Sequence, residues 1–205
     1  MKWICFIPAS CTCRGDDEIV AEQQKCMELL CDYNMTRPCE TEKRKELMRQ
    51  MFAEVCERCY IEPPLHANWG GRHVHPGNRV YADFSLTLVD DTHIYIDDDT
   101  MIGPGVIIAT AGHPILPVPR KRKYQYNAPV HIGKNCRIGA GSVILPGVSI
   151  VDNTVIGGGS VVTRDIPANS VAYGNPCRVR REISGHDREY YFRDKKIPEG
   201  MLGDS

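Results

Sequence analysis

The sequence predicts a mainly β chain folded as a parallel β-helix, and two observations carry that prediction. Ile132, Ile138, Ile144, Ile150, Ile156 and Val162 stand six residues apart without a break. The fifth places of these hexads hold Cys136, Ser142, Val148, Thr154 and Ser160, all small or β-branched, while Gly and Asn gather in the second to fourth places. A repeat of six is the pattern of a triangular coil: an aliphatic side chain points inward at the start of each flat segment, a compact one follows, and Gly or Asn takes the positive φ of the corner. Three hexads close one turn of about eighteen residues. A helix period of 3.6 does not generate such spacing, and ordinary alternating strands would space their turns less evenly.

The elements follow in order. Residues 1-62 read as a helical cap. From Asp16 to Tyr33, Ile19, Val20, Gln23, Met27 and Leu30 share one helical face, with Asp16 or Asp17 as N-cap. Thr36 to Cys39, with Pro38, breaks this helix; a second, from Glu42 to Cys59, carries Leu47, Met51, Phe52, Val55 and Cys59 at helical spacing and ends before Pro63 and Pro64. Two helices in this place cap the open end of the coil and cover strand edges that would otherwise invite pairing.

Residues 63-183 read as the β-helix. From Pro76 the hexads run PGNRVY, ADFSLT and LVDDTH; an insertion at Ile94 and Tyr95 then shifts the phase to IDDDTM, IGPGVI and IATAGH. His113 closes a hexad at a corner. A projecting loop, 114-130, follows, and because Ile108 and Ile132 are separated by a multiple of six the coil resumes in phase. Loops of this length inside a repeat are usually functional or interfacial. The pattern dissolves at Pro167, and the tail, 184-205, is expected to pack back as a short terminal element with the basic residues that begin at Arg178.

The composition limits the function classes. A net charge of −1 over 205 residues argues against general affinity for nucleic acid or anionic membrane, and 42% hydrophobic content is that of an ordinary water-soluble domain. Met1 to Ser10 is too short and too interrupted, by Pro8, to be a cleaved leader, and no segment reaches membrane-spanning length, so a cytoplasmic protein is expected. Eight of the ten cysteines precede residue 60, away from the repeat, and are expected to be reduced. Cys11, Cys13, Cys56 and Cys59 have spacing compatible with a four-thiolate zinc site, but Cys59 continues the apolar face of its helix, so packing is the simpler account and no metal is expected.

Most side chains on a β-helix serve stacking. His113, between Gly112 and Pro114 where the coil opens into the loop, does not, and a neutral imidazole there can take a proton from a hydroxyl. The run YADFSLTLVDDTHIYIDDDTMIGPGVIIATAGHPI, followed by APVHIGKNCRIGAGSVILPGVSIVDNTVIGGGSVVTRDIPANSVAYGNPCRVRREI, resembles the sugar O-acetyltransferases of the hexapeptide-repeat family, most closely its galactoside branch. The likeness is most specific in TAGHP, VVTRDIP and NPCRVRREI.

The resemblance implies a homotrimer of left-handed β-helices with active sites between neighbouring prisms. It implies that acetyl-CoA is the co-substrate and a sugar hydroxyl, most simply the 6-hydroxyl of a galactoside, the acceptor; maltose, glucose or another hydroxylated acceptor is the alternative. His113 matches the catalytic base. Asp91, Asp83, Asn68 and Tyr81 fall on the acceptor side, and Ala140, Gly158, Thr163, Arg164, Arg178 and Arg181 match cofactor-binding positions, where the arginines suit phosphates. The bland reading of Asp83 and Asp91 is corner aspartates that accept backbone N–H groups.

Four positions depart from the family pattern. Asp83 stands where the family has asparagine and, when ionised, only accepts hydrogen bonds. Arg137 replaces a common tryptophan, and Thr12 and Cys13 replace a Tyr-Asp pair. Altered or relaxed acceptor specificity is expected. The basic run Arg120 to Lys123 reads as a solvated loop tip. Two other functions fit the same prism. One is a zinc hydratase of the γ-class carbonic anhydrase type, for which His75, His93, His113 and His131 are candidate ligands; the other is a non-catalytic scaffold.

Overall fold

Each short strand owes its place to the repeat: an inward aliphatic residue, its neighbour outward, and a corner two residues on. In the computed structural model, which describes residues 5–8, 16–54 and 58–202 with side chains from residue 18 onward, these strands stack into three parallel sheets that form the faces of a prism. The first face carries Tyr60–Ile61, Tyr81–Ala82, Met101–Ile102, Arg137–Ile138, Val155–Ile156 and Ser170–Tyr173. The second carries His66–Ala67, Thr87–Val89, Ile107–Ala109, Val143–Ile144 and Val161–Val162, and the third Val74–Pro76, Ile94–Ile96, Val130–Ile132 and Ser149–Ile150.

Register is strict. On the first face Ile61, Ala82, Ile102, Ile138, Ile156 and Ala172 pair in sequence, each 1% exposed or less. Burying one such aliphatic side chain contributes roughly 1.5–3 kcal/mol, so the stacked columns are the core. The polar residues in the fifth places are buried too and are satisfied locally: Ser142 Oγ donates to the Gly139 carbonyl at 2.7 Å, and Thr100 Oγ1 to that of Gly133 at 2.8 Å. Positive φ falls in the fourth place of the hexads, as at Asn135 (52°) and Asn153 (57°). There Asn135 Nδ2 donates to Asn153 Oδ1 at 2.9 Å, tying successive corners together.

Several expectations change. The prism begins with Tyr60, two strands ahead of Pro76 in the same coil, because this first coil lacks the regular hexad spacing. Ile94 and Tyr95 are not an insertion: Ile94 pairs with Val74 and Val130 as an inward residue, and the extra length lies in the preceding corner at Asp90 to His93. At the far end Ile166 still points inward beside Ile150, so the coil runs past Val162 before Arg178–Glu182 pairs antiparallel with Ser170–Tyr173.

Helix α1 spans Asp16–Asn34 and α2 spans Thr41–Met51. The second helix is shorter than its apolar spacing suggests: Phe52 is extended and its N–H closes on the Met48 carbonyl. Val55 lies outside the described residues, as does the proposed N-cap side chain at Asp16 or Asp17. Cys59 is buried ahead of the first strand rather than on a helix, and Pro63 and Pro64 join strands of the first coil. The buried stripe of α1 is also shifted. Leu30 and Tyr33 are buried, whereas Ile19, Val20 and Met27 are exposed.

The helices do cover the first coil. The Tyr33 hydroxyl donates to the Ile61 carbonyl, Asn34 brackets Leu65 through its backbone N–H and carbonyl at 2.8 Å each, and the buried Arg44 donates to the Tyr60 hydroxyl at 2.6 Å. Burial pushes the Tyr33 hydroxyl well above the usual tyrosine range. Among the described residues no helix is long and apolar enough to cross a membrane, and Cys26, Cys31, Cys39, Cys136 and Cys177 form no disulfide.

Candidate active site

The edge between the second and third faces is where the chain departs from its six-residue rule. Where a regular coil crosses from Ile144 to Val148, earlier coils cross from Ala67 to Val74, from Leu88 to Ile94 and from Ile108 to Val130. The added residues bring the polar side chains Asn68, His73, Asp90, Asp91, His93, His113, Gln125 and Asn127 to this one edge.

The long excursion is built as a small sheet. Ala111–Gly112 pairs antiparallel with Tyr124–Asn127, which pairs on its other side with Cys5–Pro8. A Cβ at Gly112 would lie 2.4 Å from the Tyr126 hydroxyl, so only glycine lets that ring lie over the start of the excursion. The tip carries helix α3, Pro117–Lys121, with Ile115, Leu116 and Val118 exposed. Arg120 donates to the Ile115 carbonyl at 2.7 Å, and Lys121 to Lys123 face solvent, as a solvated tip requires.

His113 stands at the exposed root of the excursion, with Nδ1 2.9 Å from the Tyr124 carbonyl. A carbonyl oxygen only accepts, so Nδ1 carries the proton in the neutral ring and Nε2 keeps a free lone pair. Next along the strand, Gln125 Nε2 donates to Asp91 Oδ1 at 3.2 Å and to Asn127 Oδ1 at 2.8 Å. Asn68 Nδ2 donates to the other Asp91 oxygen at 2.9 Å. Asp91 is therefore gripped by side-chain amides, unlike a corner aspartate. That corner role belongs to Asp90, fully buried, which accepts the N–H groups of Trp69 at 2.8 Å and Gly71 at 3.0 Å; burial raises its carboxyl above the usual range.

Other predicted residues lie elsewhere. Asp83 sits on the edge between the first and second faces and accepts the N–H of Phe84 at 2.9 Å, the bland reading for that residue. Within one chain it is not brought to His113. Tyr81 stacks on Tyr60 with ring centroids 6.4 Å apart, and desolvation, reinforced by Asp83, raises its hydroxyl above the usual range. Ala140 and Gly158 are exposed on the same edge as Asp83, where Gly159 N–H donates to the Ala140 carbonyl at 2.8 Å. Thr163 and Arg164 are exposed on the His113 edge.

Arg178 and Arg181 lie on the terminal antiparallel strand. Arg178 donates to the Cys177 carbonyl at 2.7 Å, while Arg181 makes two bonds to Asp187, at 2.5 and 2.7 Å, in helix α4, His186–Glu189. The guanidinium holds the Asp187 carboxyl far below the usual range. Arg137 is exposed on the first face, between Met101 and Val155. Thr12, Cys13, Cys11 and Cys56 lie outside the described residues.

Within one chain the four histidines of the hydratase reading do not converge. His75 Nε2 and His93 Nδ1 are 2.8 Å apart and His131 stacks on Tyr95 along the third face, but His113 belongs to the excursion. Among the described residues no group of three or more His, Cys, Asp or Glu side chains could hold a metal ion. Sequence reasoning did not find the Tyr124 carbonyl or the Gln125–Asn127 pair. A backbone carbonyl leaves no residue signature, and amides on a loop strand have no periodicity that marks them.

A prism of stacked hexad coils defines the class of protein, a solenoid built on hexapeptide repeats. Comparison with known proteins agrees. The family profile described as "Hexapeptide repeat of succinyl-transferase" matches residues 129–164, and "Maltose acetyltransferase hexapeptide capping motif" matches residues 12–55. Galactoside O-acetyltransferase of Lactococcus lactis subsp. lactis is 49% identical over 183 residues, covering 89% of this chain and 88% of the relative. A solved galactoside acetyltransferase in complex with coenzyme A superposes with a TM-score of 0.87 at 43% identity, covering 92% of each chain. A maltose O-acetyltransferase from Clostridium difficile 630 gives 0.80 at 41% identity, covering 83% of this chain and 90% of that one. The chain belongs to the hexapeptide-repeat sugar O-acetyltransferase family.

Proposed function

We propose that this enzyme moves the acetyl group of acetyl-CoA to a hydroxyl of a sugar, most simply the 6-hydroxyl of a galactoside, with His113 as general base. The observation that carries the reading is the 2.9 Å contact between His113 Nδ1 and the Tyr124 carbonyl, which fixes the tautomer whose Nε2 accepts a proton at an exposed rim. Nε2 takes the hydroxyl proton as the acceptor oxygen bonds to the thioester carbon. The C–S bond then breaks, and the imidazolium returns its proton to the departing thiolate. General base action contributes roughly 10²- to 10⁴-fold; alignment of the two substrates and hydrogen bonds to the developing oxyanion supply the rest.

Asp91 holds acceptor hydroxyls, which suits a carboxylate because it accepts from two at once. Ala140 and Gly158 present exposed small residues to the co-substrate, and Arg164 and Arg178 offer charge to its phosphates. Asp83 and His113 lie on different edges of one prism, so a cleft between neighbouring copies, as in a homotrimer, is the arrangement that unites them. The Asp83 and Arg137 departures support an acceptor range that differs from a strict galactoside enzyme, and the relatives named for galactoside and for maltose bracket that range.

The test is acetyl transfer from acetyl-CoA to a panel of galactosides, maltose and glucose by the parent and by His113→Ala. Turnover is expected to fall at least ~10²-fold in the variant with its fold unchanged. Equal rates would leave the reaction without its base.

A further inference from the structure

We infer that Gln125 is a positioning and specificity residue for the acceptor: its amide nitrogen fixes the Asp91 carboxylate, and its Oε1 receives a second acceptor hydroxyl. The inference rests on the reading that Asp91 faces the acceptor, and it assigns that site a class of ligand, a sugar bearing two neighbouring hydroxyls away from the one that is acetylated.

The orientation of the amide follows from chemistry. An ionised carboxylate only accepts, so the Gln125 atom 3.2 Å from Asp91 Oδ1 must be the nitrogen. That nitrogen has two hydrogens, and the second goes to Asn127 Oδ1 at 2.8 Å. Asn127, 5% exposed, is thereby turned so that its own nitrogen faces the Asp91 backbone carbonyl at 3.4 Å. Both Gln125 hydrogens are spent and Oε1 receives no hydrogen bond among the described residues. It is an acceptor set beside the Asp91 carboxylate on a half-buried side chain.

The carboxylate is held from both sides. Asn68 donates to Oδ2 from the preceding coil and Gln125 to Oδ1 from the excursion, so the plane of the group is fixed before any substrate arrives. Each carboxylate oxygen still has a lone pair to offer. The strand that supplies Gln125 also supplies the carbonyl that orients His113, one residue earlier. One short strand thus sets both the base and the acceptor carboxylate, so a hydroxyl read by Gln125 is read in fixed relation to the reacting centre.

The experiment uses the full chain, acetyl-CoA, a methyl glycoside that the parent acetylates, and its monodeoxy analogues. The parent is expected to reject at least one monodeoxy analogue by ~10-fold or more in kcat/KM, because a site built to bind a hydroxyl penalises its absence. Gln125→Met, close in shape and without the amide, keeps only a weakly accepting sulfur and is expected to lose that discrimination at one hydroxyl, with a raised acceptor KM and an unchanged KM for acetyl-CoA. Gln125→Glu keeps the acceptor oxygens but sets a second carboxylate against Asp91, so its acceptor KM is expected to become pH-dependent in the acid range, a change that packing alone would not produce. Active Gln125→Met with the parent's full discrimination overturns the inference while leaving the proposed function intact. A parent that acetylates no hydroxyl acceptor overturns both.

Discussion

The two edges that flank the second face are made of the same chain but obey different rules. Between the first and second faces every coil turns in the same count, as from Ile102 to Val106, Ile138 to Ser142 and Ile156 to Ser160. The rungs there touch through backbone: a Cβ on Gly139 would lie 2.4 Å from the Gly158 nitrogen, and one on Gly103 would lie 2.8 Å from that of Ala140. Between the second and third faces no two of the first three crossings have the same length, and side chains join the backbone in bridging the rungs. Asp90 collects the N–H groups of Trp69 and Gly71, and Asp91 collects the amides of Asn68 and Gln125. The first edge keeps the register; the second is free to vary, and the polar residues gather on it.

Adding one carbon to the tight edge gives the largest expected effect on stability. Gly139→Ala is predicted to lose about 3 kcal/mol, the upper part of the overpacking range, because its neighbours are backbone atoms that cannot turn aside. Chemical denaturation measures this, and parent-like stability would mean that the rungs are looser than their spacing implies. On the variable edge Asp90→Asn is predicted to cost about 1–2 kcal/mol by setting an amide hydrogen against a backbone N–H. The parent carboxylate's raised pKa, itself a burial cost, limits the loss. An unchanged unfolding midpoint would show that this corner closes without its carboxylate.

Asp187→Asn sharpens the comparison on the terminal strand. Freeing Arg181 is expected to lower KM for acetyl-CoA about 2-fold, in keeping with the small worth of exposed ion pairs. An unchanged KM would remove Arg181 from the phosphate-binding set. The smallest effect concerns His93, which faces His73, His75 and Tyr95, with Glu54 beyond His75. Burial, then the neighbouring His75 and His73, holds its pKa below the usual value. The unfolded chain therefore takes up the proton first, and stability is lost as pH falls through about 6.5, until the folded pKa is passed. His93→Gln is expected to reduce the fall in Tm between pH 7 and 5 by about 1 °C; equal slopes would show that the cluster does not titrate against folding.

The repeat was legible where geometry is most demanding. From Ile132 to Val162 every inward residue is where the spacing of six puts it, because a stacked core tolerates neither a longer nor a shorter rung. The in-phase return after the excursion was legible from the interval between Ile108 and Ile132, a multiple of six. The first coil was not, since its long corner from Ala67 to Val74 breaks the count. The extra length before Ile94 was misplaced because Ile94 and Tyr95 have no local mark that distinguishes strand from insertion; the paired Val74 and Val130 decide it. The length of α2 followed apolar spacing that Cys59 continues by coincidence, buried in the coil rather than on a helix. His113 was singled out as a residue that does not serve stacking and Asp91 by the family resemblance, but their partners Tyr124 and Gln125 depend on how an excursion folds back, which is a tertiary fact. The pairing of Arg181 with Asp187 is likewise invisible in a basic run.

The closing strand Arg178–Glu182 bears on how copies of this molecule meet. All five of its residues are exposed, three of them arginines, and it runs against the direction of the coils at one end of the longest sheet, while α1 and α2 cover the other end. A solenoid with bare ends would grow into a fibre by adding copies tip to tip, since every terminal rung is a template for the next. Here one tip is sheathed and the other is reversed and positively charged. Axial polymerisation is blocked, and the flanks of the column are what remain for association.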